Sequence, residues 1–554
     1  MNLHKTWKII AGGVVLTLLL ICVYYGVLPA SILFTRATET PFKPPSFTIT
    51  PFQSFPSTPT ALPTAVPRTI WIDPDLPGTF RANLTLPQGI GQIDSPQDAT
   101  VIIQAGDGEV ISRWIYALVA PFPTVKEGVS TQDIIGAWRG ISNPDFGNRP
   151  LLMTQSTRSM LTALWGEPDP EMISVVSRVQ LLDRAWDDSL SWAVVPFDRL
   201  EPAWKVLTID GQSPLRKDFV PADYPLIVPI SQLGNLADPG EYPSTNRDPD
   251  KLTTLVLTGV TALVRATAYT MEQQGITYPA QDIGHWLRDA DFTHISNEVP
   301  FVQDCPYPDP NQKTLVFCSD PRYIELMEAV GTDVVELTGD HFGDWGPEAM
   351  LYTLELYQER GWLYYGGGAD LEDARTPVKI EHNGNRLAFI GCNAKGGGYA
   401  GAAPGYPGAA ACDFDYLTRQ IQDLRTEGYL PIATFQHFEY YTYQAQPDQI
   451  RDARRLAEAG AVIVSGSQAH QPQAFQLTGE AFIHHGLGNL FFDQLVEYPP
   501  HTAVAFIDRH VFYQGKHLST ELLPIKFIDF ARSRPMTPVE REDLLRTVFQ
   551  ASGW

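Results

Sequence analysis

Asp333-Val-Val-Glu-Leu-Thr-Gly-Asp-His-Phe-Gly-Asp-Trp-Gly346 decides the fold of the C-terminal half. A short apolar strand runs into a glycine turn, and a carboxylate, an imidazole and a second carboxylate follow at once. Enzymes of the α/β class collect ligand-reading groups just beyond the carboxyl ends of their strands. The same arrangement recurs downstream. Leu430-Pro-Ile-Ala-Thr-Phe runs into Gln436-His-Phe-Glu-Tyr-Tyr441, Ala461-Val-Ile-Val-Ser into Gly466-Ser-Gln-Ala-His470, and Ala481-Phe-Ile into His484-His-Gly-Leu-Gly-Asn489. Four strand ends alike in kind predict an α/β domain with its site residues just after the strands.

Working outward, strand and helix patterns alternate from Thr253-Thr-Leu-Val-Leu-Thr-Gly259 to about Phe530, giving a domain over 248–530. A helical tail, 531–554, begins at the capped start Thr537-Pro-Val-Glu540 and is expected to pack on that domain. Upstream, 69–240 also reads as α/β, with strands at Thr100-Val-Ile-Ile-Gln104 and Trp114-Ile-Tyr-Ala-Leu-Val-Ala120 and a helix over Ser159 to Trp165. Tyr116-Ala-Leu-Val-Ala-Pro121, Val129 to Gly140 and Ala193-Val-Val-Pro-Phe-Asp-Arg-Leu200 make this region resemble a type 2 periplasmic substrate-binding domain. No ligand-reading motif of that family carries over, so a working binding protein and a purely structural module both stand. Residues 36–68 are rich in Pro, Thr and Ser and predict an extended spacer. Residues 1–35 contain an apolar run, Ile9 to Leu28, long enough to span a bilayer. Lys5 and Lys8 before the run and only Arg36 close after it place the bulk of the chain outside a cell membrane as a single-pass protein, with a cleaved signal peptide as the alternative.

Composition narrows the partners. The 554 residues carry a formal net charge of −23, which argues against nucleic acid, since phosphate backbones require Lys/Arg-dense faces. Cys305 and Cys318, and likewise Cys392 and Cys412, form close pairs without zinc-site spacing. Two disulfides in an oxidising compartment are expected, with four unrelated buried thiols as the alternative.

Five motifs in order make the C-terminal domain resemble the CapA capsule-synthesis (poly-gamma-glutamate) family, over about Leu252 to Gln494. They are Ser296-Asn-Glu298, Gly339-Asp-His341 with Asp344-Trp-Gly346, Gln436-His-Phe-Glu-Tyr440, Gly466-Ser-Gln-Ala-His470 and Leu487-Gly-Asn-Leu-Phe-Phe-Asp-Gln494. That family is similar to calcineurin-like metallophosphoesterases, so the resemblance implies a four-layer α/β fold and a metal site on strand-end ligands. Four departures follow from the same comparison. Val260 stands where the family has a metal-binding Asp, Gln468 where it has a His and Asp340 where it has an Asn. The His of a further motif is either Gln436 or displaced to His437.

The remaining donors, Asp340, His341, His437, Glu439, His470, His484 and His485, suffice for one divalent ion. Asp340, His341, His437 and His470 are the expected metal set, and His341, His470 and Glu439 the candidate acid/base groups. His484 and His485 alternate across a strand, so at most one faces the site. Gly488-Asn489 reads as a tight backbone turn, and the glycines from 396 to 408 as a loop tied by Cys392 and Cys412. Three functions stand: a membrane-anchored factor for capsule or poly-gamma-glutamate synthesis or export, a metal-dependent phosphoesterase, and a non-catalytic module binding an envelope polymer or small molecule. Whether the chain is an enzyme is left open.

Overall fold

Leu252-Thr-Thr-Leu-Val-Leu-Thr258 forms a strand buried along its whole length, because its alternate side chains serve two different cores. Val256 points into one cluster with Leu263, Ile295, Val335, Met350 and Leu354. Leu255 and Leu257 point the other way, onto Tyr365, Leu387, Phe389, Ile432 and Ile463. The second cluster joins two sheets face to face. One is nine-stranded, in the order Leu363–Tyr365, Val334–Glu336, Phe292–Asn297, Leu252–Thr258, Val504–Tyr513, Lys516–Ile528 and Arg532–Pro535, with Val260–Thr261 and Asn489–Phe491 attached. The other is six-stranded, in the order Val378–His382, Asn385–Asn393, Leu430–Gln436, Ile463–Ser465, Ala481–His484 and Phe475–Thr478. Helices Phe414–Thr426 and Pro447–Ala459 cover the outer face of the six-stranded sheet through Leu417, Ile421, Ala453 and Leu456. Helix Gly346–Glu359 covers the nine-stranded sheet. The result is helix, sheet, sheet, helix, as the motifs imply.

This computed structural model describes residues 68–554 apart from 142–148, 188–190, 236–239, 397 and 495–499. The expected membrane run Ile9 to Leu28 and the spacer up to residue 67 lie outside the described residues. Among the described residues no helix is long and apolar enough to cross a membrane.

Residues 69–233 build a separate nine-stranded mixed sheet around the long strand Glu109–Pro121, which pairs antiparallel with Ile227–Leu233 and with Ala193–Pro196. Helix Thr131–Trp138 starts at a capping box between Ser130 and Asp133, and helix Gln155–Trp165 at the Thr154 hydroxyl. The α/β reading of this region therefore stands, but no feature of the sheet establishes a substrate-binding domain. Its core runs on into the following domain, since Leu252, Val511, Tyr513 and Leu518 join the cluster of Trp114, Tyr116, Trp204 and Leu226. The described residues from 68 to 554 accordingly form one compact unit.

The tail helix Pro538–Ala551 has the expected capping box, Thr537 with Glu540. It packs more widely than expected. Leu544, Leu545, Val548 and Phe549 meet Phe122, just beyond the end of strand Glu109–Pro121, as well as Phe475, Phe482 and Phe506 of the second domain. Both disulfides are formed as expected, Cys305 with Cys318 and Cys392 with Cys412.

Candidate functional site

Strand ends from both sheets of the C-terminal domain converge on a cavity of about 380 Å³ lined by Glu298, Asp340, His341, Lys395, Glu439 and His470, among others. Glu298 follows Phe292–Asn297, Asp340 and His341 follow Val334–Glu336, Lys395 follows Asn385–Asn393, Glu439 follows Leu430–Gln436, and His470 follows Ile463–Ser465. The close approach of the first two segments depends on Gly339, where a Cβ would lie 2.9 Å from the Glu298 Cα. Any side chain there would push Asp340 away from Glu298.

Each imidazole is held by one ring nitrogen. His341 Nδ1 lies 2.8 Å from Asp344 Oδ2, which also accepts the Phe317 backbone N–H at 2.6 Å. His470 Nδ1 lies 2.9 Å from Asn489 Oδ1. The Asn489 amide nitrogen is occupied by the Thr502 carbonyl at 3.2 Å, so its oxygen faces the histidine and His470 donates from Nδ1. That leaves His470 Nε2 directed at Glu298 Oε1, 3.6 Å away. Asn489 is thus more than the turn residue expected from Gly488-Asn489. It orients a site histidine in the manner of the outer-shell partners of metal-bound imidazoles.

The carboxylates divide by partner. Glu298 is 1 % exposed and its Oε1 has no hydrogen-bond partner. Burial pushes its carboxyl above the usual range, opposed by the nearby His470 and His341. Asp340 and Glu439 instead share the Lys395 ammonium, at 2.5 Å and 2.8 Å. Burial alone would raise both carboxyls. The lysine charge and hydrogen bonds hold Asp340 below its ordinary value, and His470, Lys395 and Tyr441 hold Glu439 at about 2. Burial alone would lower His341, but its bond to Asp344 and the charges of Glu298, Asp344 and Asp340 bring it to about 9.

Glu298, Asp340 and His341 can each place one ligand atom within 4.8 Å of the others. Together with the orphaned Glu298 oxygen and the free edge of His470, this donor set fits one divalent ion. His437 does not join it. The strand ends at Gln436, whose side chain turns inward and bonds the Asp340 backbone and carboxylate at 2.8 Å and 2.9 Å. His437 therefore faces the helix Pro447–Ala459, with Nε2 3.3 Å from Asp452. His484 and His485 do not line the cavity either. Gln468 is buried and donates to Ser296 Oγ at 2.8 Å, and Val260 is fully buried.

Three contributors escaped the sequence reading. Glu298 lay within one of the five motifs without a role, and Lys395 stands directly before the glycines read as a loop, inside the segment tied by Cys392 and Cys412. Arg265 follows the Val260–Thr261 strand at φ 45°, a conformation costly outside glycine, and its guanidinium lies 5.4 Å and 5.0 Å from the Phe317 and Phe492 ring centres. Arg265 also bonds the Asp493 carbonyl. Burial pushes the Asp493 carboxyl up to about 6 against the arginine's pull.

Beneath the site, Ser467 and Thr338 donate to the two oxygens of Glu336, and His294 Nε2 lies 3.0 Å from the Tyr365 hydroxyl and 3.5 Å from Glu336. Tyr365 in turn meets Thr434 at 2.8 Å. Burial would raise Glu336, but these bonds hold it down. The network spans the two sheets and fixes the turn that carries His470.

Residues 254–494 match a protein-family model described as bacterial capsule synthesis protein PGA_cap. A capsule biosynthesis protein CapA of Bacillus anthracis is 24 % identical over 257 residues, which are 46 % of this chain and 62 % of that protein. The PGA biosynthesis protein CapA of Bacillus subtilis is 22 % identical over 260 residues, 47 % of this chain and 68 % of that protein. The chain therefore spans about two thirds of the length of these curated relatives. Among solved structures, a 5'-nucleotidase precursor from Thermus thermophilus aligns with TM-score 0.31 and 14 % identity, over 55 % of this chain and 58 % of that one, a score that carries no argument. By family model and by relatives, the domain over residues 254–494 matches the CapA capsule-synthesis family.

Proposed function

We propose that this chain is a CapA-like factor in the synthesis or export of a capsule polymer of the poly-gamma-glutamate type, working outside the cell membrane on an N-terminal anchor. One observation carries the reading. In a chain of net charge −23, the family-matching domain offsets Glu298, Asp340 and Glu439 with Arg265, Lys395, His341 and His470 in a single cleft, whose donor set would hold the bridging cation that an acidic polymer requires.

Glu298, Asp340, His341 and His470 are the residues that would hold one divalent ion, which when bound supplies a Lewis acid for an anionic group. Asp344 and Asn489 fix the two imidazoles, and Lys395 fixes Asp340 and Glu439. Val260 withholds the carboxylate that a second metal would need, which weighs against a dinuclear phosphoesterase.

Deletion of the gene in its own host, followed by quantification of envelope polymer by acid hydrolysis, tests the reading. Loss of polymer, restored by wild type and not by Glu298→Gln, supports it. Unchanged polymer with hydrolysis of a bis-nitrophenyl phosphodiester by the purified chain replaces it with the phosphoesterase.

A further inference from the structure

Lys395 is the cleft residue whose placement is most heavily constrained. Its backbone N–H donates to Asn393 Oδ1 at 2.8 Å, while the Asn393 amide nitrogen donates to the Thr338 carbonyl and to Gln436 Oε1 at 2.8 Å and 2.7 Å. Gln436 returns a bond to Asp340 Oδ1 at 2.9 Å. The ammonium is thus aimed by the same network that holds the carboxylate it meets. Its other partner is fixed equally well, since the Tyr441 hydroxyl donates to Glu439 Oε2 at 2.9 Å.

Asp340 stands between two positions. On one side it joins Glu298 and His341, whose ligand atoms lie within 4.8 Å. On the other its Oδ2 and Glu439 Oε1 converge on a single point, 2.5 Å and 2.8 Å away, and that point is the Lys395 nitrogen. Two carboxylate oxygens converging in this way are donors that hard divalent cations select.

We propose that the Lys395 ammonium is a resident cation that takes the place of a divalent ion between Asp340 and Glu439 and confines metal binding to the Glu298 side. The number of ions in the wild type rests on the functional reading above. The effect of removing the lysine does not. Without the ammonium, two partly buried carboxylates face one position uncompensated, and a divalent ion is the group that can neutralise both.

The test is the metal content of the purified full chain after equilibration with Mn²⁺ and removal of free ion, measured by mass spectrometry for wild type, Lys395→Met and Lys395→Arg. Lys395→Met is expected to gain one Mn²⁺ per chain over wild type, and Lys395→Arg none. Adding Glu439→Gln to Lys395→Met should remove the gained ion. Should Lys395→Met not fold, Lys395→Gln keeps hydrogen-bonding capacity without the charge and must show the same gain. An unchanged count in the neutral variants overturns the proposal. A wild type without metal whose neutral variant gains one ion sustains the lysine's role and instead overturns the one-ion reading of the cleft.

Discussion

Two histidine-rich clusters in the same domain make opposite use of the same residue types. In the cleft, His341 and His470 each present one nitrogen to a cavity and the other to a fixed acceptor, beside a glutamate with an unpartnered oxygen. Some residues away, His484 Nδ1 lies 2.6 Å from Asp508 and its ring centre 4.0 Å from that of Phe475. His510 and His517 stand behind it, walled by Phe482 and Phe512. Burial holds His517 at about 3 and drives His510 well down, so both are neutral packing groups. Burial likewise holds His485 at about 3. Imidazoles and carboxylates side by side therefore do not make a site. What separates the clusters is an opening, and a charge pattern that leaves donors for something else.

The strongest test of that division strikes the sealed cluster. Asp508→Ala leaves His484 buried without its partner, and breaking a buried pair costs about 3–5 kcal/mol. Denaturant unfolding should show that loss while the metal content of the folded protein stays at the wild-type value. Loss of metal as well would break the comparison, because the sealed cluster would then act on the cleft.

Removing Cys305 and Cys318 together, as serines, is expected to cost roughly 3 kcal/mol by freeing the closed loop in the unfolded chain. That loop delivers Phe317 to the cavity wall, and the Phe317 N–H shares Asp344 with His341. The variant should therefore also weaken Mn²⁺ binding, read by calorimetry. A stability loss with unchanged affinity would show that the wall and His341 are independent.

A smaller effect is expected from pH. The folded-state value of His341, about 9, lies above its ordinary 6.5. Its contribution to stability in metal-free protein is thus complete below about pH 6.5 and is lost as pH rises through 9. Asp344→Asn should move the His341 titration, followed by NMR, down toward 6.5 and flatten that loss. No movement would mean that Asp344 is not the group holding the proton.

The four strand ends, both disulfides and the Thr537 cap were legible because each depends on neighbours in sequence. Gly339-Asp-His341 shows its strand, turn and donors within nine residues of Asp333. The division between His341 and His484 was not legible, since both follow or end buried strands and differ only in what the facing sheet brings. Lys395 was hidden for the same reason. Its partners, Asp340 and Glu439, are separated from it by 55 and 44 residues. The inward position of Gln436 and the outward one of His437 follow from strand alternation, but which of the two faces the site depends on where pairing stops, and spacing does not reveal that. The 254–494 domain was identified from its motifs, whereas the reading of 69–240 rested on wording without site residues and gained no support.

The central claim is that the cleft holds one divalent ion at Glu298, Asp340, His341 and His470. Anomalous scattering from a Mn²⁺-equilibrated crystal tests it most directly. One peak among those four residues, absent in Glu298→Gln crystals, is the result expected. No peak there, or a peak at His437 or His484, would contradict it.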